Sequence, residues 1–263
     1  MDIVDSRIDG GTPFDWGRTS ADYARWRDIY PPEFYQMIVG RGVGLAGQTV
    51  LDLGTGTGVL PRNLCQHGAH WIGEDISDEQ IAQAQRLSRG LGIDYRACAA
   101  EDVALPKASL DAVTACQCFW YFDHERLRPN LHRMLRPGGK LLALYMAWLP
   151  GEDAIAGASE RLVLKYSPDW TGAGETVRPI EVPRCYEDGF KLTYHREFRL
   201  DVPFTRESWN GRVRACRAIG ASLAPERVAA WEREHRTLLA RIAPERFRVR
   251  HYAAVAELTR TGA

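Results

Sequence analysis

Residues Val50 to Leu60 read V-L-D-L-G-T-G-T-G-V-L. An apolar run ends in glycines at alternate positions, Gly54, Gly56 and Gly58, after which helix-forming sequence resumes. The pattern predicts a buried strand, a tight turn and a helix N-terminus, the place where open α/β sheets bind ligands. Glycine at alternate positions lets the backbone take positive φ and leaves no Cβ between the N–H groups and a bound molecule. A compact polar ligand is expected against this loop.

Spacing argues against two phosphate-binding loops. A dinucleotide fingerprint needs its third glycine three residues after the second, and that position is Val59. A P-loop needs a Gly-Lys-Ser/Thr ending, which the run lacks. Asp52 stands just before the turn, where a carboxylate repels a pyrophosphate but welcomes an ammonium group, directly or through water. This combination resembles the first motif of the class I S-adenosylmethionine-dependent methyltransferases, whose cofactor presents its amino-acid end at this loop.

Further pieces follow in the order that family has them. Trp71 to Ser77, W-I-G-E-D-I-S, is similar to its second strand and ends in Asp75, about 20 residues beyond the loop, the distance of a ribose-binding acid. One carboxylate can accept from both ribose hydroxyls through strong, charge-assisted bonds. Glu74 is the rival acid, and helix capping is the other role open to Asp75, with Ser77 the better N-cap. In A-A-E-D-V-A-L-P, the resemblance assigns Glu101 to the adenine amino group and the Asp102 backbone N–H to the ring. Asp111-Ala112-Val113 starts a fourth strand, and R-M-L-R-P-G-G-K-L-L matches a helix end, a turn and a fifth strand. The cofactor-binding set implied is Asp52, Gly54, Thr55, Gly56 and Gly58, then Asp75, Ile76 and Gln80, then Ala100, Glu101 and Asp102, and finally Gln117. The implied cofactor is S-adenosylmethionine, with S-adenosylhomocysteine as its product, and no metal.

The chain has 263 residues, 34 Lys plus Arg against 34 Asp plus Glu. With no net field, a nucleic acid or an anionic membrane is disfavoured as a partner. The N-terminus shows neither a basic nor an apolar leader pattern, and no apolar stretch approaches the ~20 residues of a membrane span. A cytoplasmic location is expected. The six cysteines form neither a disulfide framework nor a zinc pattern. Cys116 and Cys118, at strand period, read as small core hydrophobes.

The expected fold is a doubly wound α/β sheet of seven strands, mostly parallel with the last antiparallel, carrying an N-terminal helical lid and helical cap insertions. Residues 1–40 are expected to form the lid, 41–149 the cofactor-binding core, 150–189 a cap after strand five, and 190–263 strands six and seven with an inserted helical pair. In the lid, Thr19 or Ser20 caps a helix on which Tyr23, Trp26 and Tyr30 share a face, stopped by Pro31 and Pro32. Other expected helices run Glu33 to about Gly40, Ala154 to Lys165, Glu207 to Gly220 after Thr205, and Pro225 to Ile242. The last three strands are expected at Lys140 to Trp148, Phe190 to Leu200 and Phe247 to Leu258.

Chemistry is expected near Gln117 to Asp123, Q-C-F-W-Y-F-D, beyond the fourth strand. Related small-molecule methyltransferases have Gln-x-x-His-Trp-Phe-Asp here, whereas this chain has Trp120 at the histidine position and Tyr121 at the tryptophan position. A general base is thereby lost and an aromatic wall remains. Phe119 and Phe122 suit a plug between sheet and helix; Trp120 and Tyr121, with polar tips, suit it less. Trp120, Tyr121 and Tyr23 are candidate positioning residues for catalysis. Tyr30, Trp209 and Arg212 are candidates for the substrate, although Arg212, Arg214 and Arg217 also fit a solvated basic face. The expected activity is methyl transfer to a small-molecule acceptor by in-line displacement. A small-thiol S-methyltransferase is the closest alternative, and a nonenzymatic cofactor-binding regulator is the alternative from another class. Acceptor and oligomeric state stay open.

Overall fold

The computed structural model describes residues 2–262. Seven strands form one sheet in the order β3-β2-β1-β4-β5-β7-β6: β1 (Thr49–Leu53), β2 (His70–Asp75), β3 (Asp94–Ala97), β4 (Leu110–Cys116), β5 (Leu135–Trp148), β6 (Phe190–Thr205) and β7 (Arg246–Arg260). β1 pairs in parallel with β2 and β4, β2 with β3, and β4 with β5. The sheet is mostly parallel with its last strand antiparallel, as the alternation of strand and helix sequence predicts. Strand order reverses between β1 and β4, so the glycine loop opens at the switch point where such sheets leave a crevice.

The helices are α1 (Ser20–Trp26), α2 (Pro32–Gly40), α3 (Val59–Leu64), α4 (Asp78–Leu87), α5 (His124–Met134), α6 (Ala154–Tyr166), α7 (Arg206–Arg214) and α8 (Pro225–Ile242). Side chains cap four of the helices at their N-termini. Ser77, Asp123 and Asp153 accept from the first-turn amides of α4, α5 and α6, satisfying donors with no intrahelical partner. Thr205 and Ser208 form a reciprocal cap on α7.

Several expected elements differ, among them β6, which runs five residues past Leu200 to Thr205. The first helix ends at Trp26, so Tyr30 does not share a helical face with Tyr23 and Trp26. Pro32 begins α2 rather than ending α1, at the first-turn position where a missing N–H costs nothing. The helix expected to run to Gly220 stops at Arg214; Cys216 is extended, and a separate π-turn spans Arg217–Ala221. β5 starts five residues before Lys140, because the Pro137-Gly138-Gly139 turn is absorbed as an irregularity in the strand. The pairing jumps there from Leu110↔Leu135 to Ala112↔Lys140.

The chain divides into two compact units. One comprises Met1–Ile29, Ala147–Val177 and Arg199–Tyr252, and the other Tyr30–Met146, Arg178–Phe198 and Ala253–Ala263. The division departs from the expected boundaries: the first 29 residues and parts of both insertions, far apart in sequence, join in one unit. Within it, the Arg217 guanidinium donates to both oxygens of Asp9, at 2.6 and 2.9 Å, and Asp9 also accepts from the Thr171 backbone and hydroxyl. Arg214 likewise pairs with Asp22 and Glu232. The other unit holds a core from β1, β4, β5 and α5, with Leu51, Leu53, Val113, Leu127, Leu131 and Leu141 buried.

Candidate active site

β1 delivers the chain to the glycine loop, where Gly54, Gly56 and Gly58 have φ of 59°, 56° and 74°. The glycines serve different ends. A Cβ on Gly54 would lie 2.7 Å from Cys118 Sγ, and one on Gly58 would lie 2.2 Å from the Tyr95 hydroxyl oxygen. A Cβ on Gly56 would meet nothing within 4 Å. The outer glycines therefore let the protein pack against its own loop, and the middle one faces open space.

The loop is tied down from three sides. The Thr55 N–H donates to the Glu74 carbonyl at 2.9 Å, and the Gly56 N–H donates to Asp75 Oδ2 at 2.8 Å. Asp52 is 2% exposed, and its two oxygens accept from the hydroxyls of Thr55 at 2.7 Å and Thr114 at 2.6 Å. Burial pushes its carboxyl up to about 7, outweighing the two hydroxyl donors. The expected attraction between Asp52 and an ammonium group is thus replaced, at the level of direct contacts, by a buried clasp between loop and β4. Neither Thr114 nor Tyr95 is marked by a local motif.

Asp75, at the end of β2, also accepts from the Ser77 N–H through Oδ1 at 2.9 Å. Capping of α4 falls to Ser77, whose hydroxyl accepts from the Gln80 N–H, so Asp75 is not needed as a cap. A carboxylate has about four acceptor sites, and each oxygen of Asp75 retains capacity for a hydroxyl. Adjacent strand residues point to opposite faces; Glu74 is 2% exposed, 3.9 Å from Arg96, and lifted above its ordinary range by burial. Ile76 presents an apolar side chain 47% exposed beside Asp75, whereas Gln80 and Ala100 are buried. Glu101 Oε1 accepts from the Asp123 N–H at 2.7 Å. Asp102 departs from expectation: its N–H donates to the Ala99 carbonyl at 3.0 Å and its carboxylate pairs with Arg126. The turn consumes the donor assigned to the adenine ring.

The residues present fit S-adenosylmethionine. A glycine face open at Gly56, a carboxylate with spare lone pairs and an exposed aliphatic side chain lie within the same unit, suited in turn to an amino-acid moiety, a ribose and a flat base.

Residues 51–143 match the methyltransferase domain family. The chain is 31% identical over 173 residues to a ubiquinone biosynthesis O-methyltransferase of Pseudomonas paraeruginosa, covering 64% of this chain and 73% of that protein. The chain belongs to the class I S-adenosylmethionine-dependent methyltransferases. Solved structures agree on the fold. The methyltransferase superposes on YjhP of E. coli with a TM-score of 0.52 at 20% identity, covering 92% of this chain and 99% of that one. YcgJ of Bacillus subtilis gives 0.52 at 16% identity, with coverages of 88% and 99%.

Beyond β4 of the methyltransferase, Gln117 takes φ of +69°, a strained setting for a side chain with a Cβ. Its Nε2 donates to the Met146 carbonyl at 2.6 Å, which holds the turn. Phe119 is buried in the core, as a plug should be, while Trp120 is 44% exposed and meets the Tyr145 ring edge-on at 4.8 Å. His124 lies against Phe119 with Nδ1 at the Tyr186 hydroxyl; burial lowers its pKa, keeping the ring neutral. Tyr30 stacks on Phe34 and its hydroxyl accepts from Cys116 Sγ. Tyr23, Trp209 and Arg212 belong to the other unit. The solvated basic face does not form: Arg212 and Arg217 are 4% and 9% exposed. Trp209 is fully buried, donating to Ser159 Oγ at 2.9 Å. Among the described residues no group of three potential metal ligands gathers, and no helix is long and apolar enough to cross a membrane.

Proposed function

We propose that this methyltransferase binds S-adenosylmethionine on the glycine loop and transfers its methyl group to a small organic acceptor whose nucleophile ionises near neutral pH. The observation that carries the cofactor half is the open side of Gly56, bordered by the Asp75 carboxylate. When bound, the sulfonium supplies the electrophilic methyl, and the chain's task is to position, desolvate and exclude water. Asp75 would accept from the ribose hydroxyls, Ile76 would pack on the adenine, and Glu101 would meet its amino group. Removing an acceptor of two hydroxyls costs about 1.5–3 kcal/mol, so Asp75→Ala is expected to bind S-adenosylhomocysteine at least tenfold more weakly by calorimetry. A larger effect of Glu74→Ala would transfer the role to that residue, and preferential binding of NAD would overturn the cofactor.

The acceptor half rests on the segment from Cys118 to Asp123. It offers Trp120 and Tyr121 but no imidazole, so an acceptor that loses its proton readily gains most from desolvation beside a cation. The relative's oxygen chemistry favours a phenolic hydroxyl, with Tyr121 orienting it by one hydrogen bond. Screening phenols, thiols, amines and aliphatic alcohols for S-adenosylhomocysteine release tests this reading. Phenols are expected to turn over and aliphatic alcohols not to; turnover of a charged macromolecule alone would sink the proposal. Phenylalanine at the responsible tyrosine is expected to lower kcat more than cofactor affinity.

A further inference from the structure

Glu207 to Ala221 carries three arginines with different fates. Arg214 and Arg217 pair with carboxylates. Arg212, the most buried of them at 4% exposure, has no carboxylate partner among the described residues. Its Nη1 donates to Cys216 Sγ at 3.3 Å, a weak acceptor, and its Nε has no hydrogen-bond partner among those residues. The guanidinium lies 4.9 Å from the centre of the Trp148 ring. The charged side chain that acts on it most strongly is another cation, Arg27, which itself sits over the Tyr23 ring.

A second unsatisfied group belongs to the same cluster. His251 is fully buried, its Nδ1 lies 2.9 Å from the Val249 carbonyl, and its Nε2 has no hydrogen-bond partner among the described residues. Burial, with help from Arg212 and Arg27, lowers its pKa to about 3, so the ring is neutral. The proton therefore sits on Nδ1, where it can donate to the carbonyl, and Nε2 presents a lone pair. Trp209 meets both rings edge-on, with centroids 5.4 Å from Trp148 and 6.2 Å from His251. The cluster thus holds one unmatched cationic donor, one unmatched neutral acceptor and two indole walls.

An arginine cannot escape burial by deprotonating, and a buried charge without a partner is strongly unfavourable. The indole face and the carbonyl end of α7 offset only part of that cost. We propose that Arg212, supported by Arg27, binds the carboxylate of an aromatic hydroxycarboxylic acid, whose hydroxyl donates to His251 Nε2. A carboxylate matches the planar guanidinium fork, the hydroxyl matches the lone pair, and an aromatic body suits Trp148 and Trp209. The proposal concerns this unit alone and stands apart from the cofactor reading.

The test uses the full chain with 3-hydroxybenzoate, benzoate and phenol as probes, read by calorimetry and by thermal shift. The wild type is expected to bind 3-hydroxybenzoate tightest and phenol weakest. Arg212→Met is expected to weaken both carboxylates at least tenfold while the ligand-free Tm holds or rises, since an unmatched buried charge has been removed. His251→Phe is expected to keep benzoate and to lose the preference for 3-hydroxybenzoate. S-adenosylhomocysteine affinity, measured in each variant, reports separately on the other unit. Equal carboxylate binding by wild type and Arg212→Met would overturn the proposal. So would a wild type blind to all three probes together with a sharply lowered Tm in Arg212→Met, the result of a purely structural cation.

Discussion

Gly58→Ala is expected to destabilise the methyltransferase by about 2–5 kcal/mol, combining left-handed backbone strain of ~1–2 kcal/mol with overpacking of ~1–3 kcal/mol. The added methyl would meet the Tyr95 hydroxyl at 2.2 Å. That oxygen is held by Ser88 at 2.9 Å and does not yield cheaply. Because domains hold only about 5–15 kcal/mol in total, the urea midpoint is expected to fall far. Gly56→Ala shares the backbone strain but meets no protein atom, so its stability loss is expected to stay near 1–2 kcal/mol. Its methyl would instead stand on the face proposed to hold the cofactor, and S-adenosylhomocysteine affinity is expected to drop at least tenfold. If Gly56→Ala bound the cofactor normally, the open side of the loop would not be the binding face.

The second large effect is a pH dependence centred on Asp52. Its carboxyl titrates near 3.8 in the unfolded chain and at about 7 in the fold, raised chiefly by burial and also by the Asp75 charge. Between those values the folded state keeps a proton that the unfolded state releases. Stability from this group is therefore full below pH 4 and declines as pH rises towards and through 7. The loss approaches ~4 kcal/mol as an upper bound. Asp52→Asn cannot ionise, so its stability is expected to lack this decline and to gain on the wild type between pH 4.5 and 8 in ligand-free urea titrations. Parallel profiles for the two proteins would mean that Asp52 is ionised throughout.

The glycine loop was legible because its information is local. Three alternating glycines after an apolar run prescribe positive φ within five residues, and no distant contact is needed to read them. The strand–helix alternation is local in the same sense, as is Ser77 as a cap, whose hydroxyl reaches only three residues along the chain. Pattern alone therefore determined the sheet, the glycine turn and the position of Asp75.

What tertiary structure decided involves partners far apart in sequence. Asp52 became a buried clasp because Thr114 meets it across 62 residues, and a one-dimensional pattern does not indicate which hydroxyl will face a carboxylate. The Asp102 N–H was lost to a turn that depends on the path between β3 and α5, not on composition. The arginines of α7 and the following turn carry the same lesson. As sequence they suit a solvated face. Folding brought Asp22 and Glu232 to Arg214 and Asp9 to Arg217, and left Arg212 buried against an indole without a counter-ion among the described residues. Charge pairing over some 200 residues is set by packing, since each guanidinium leaves water only where the assembled core puts it.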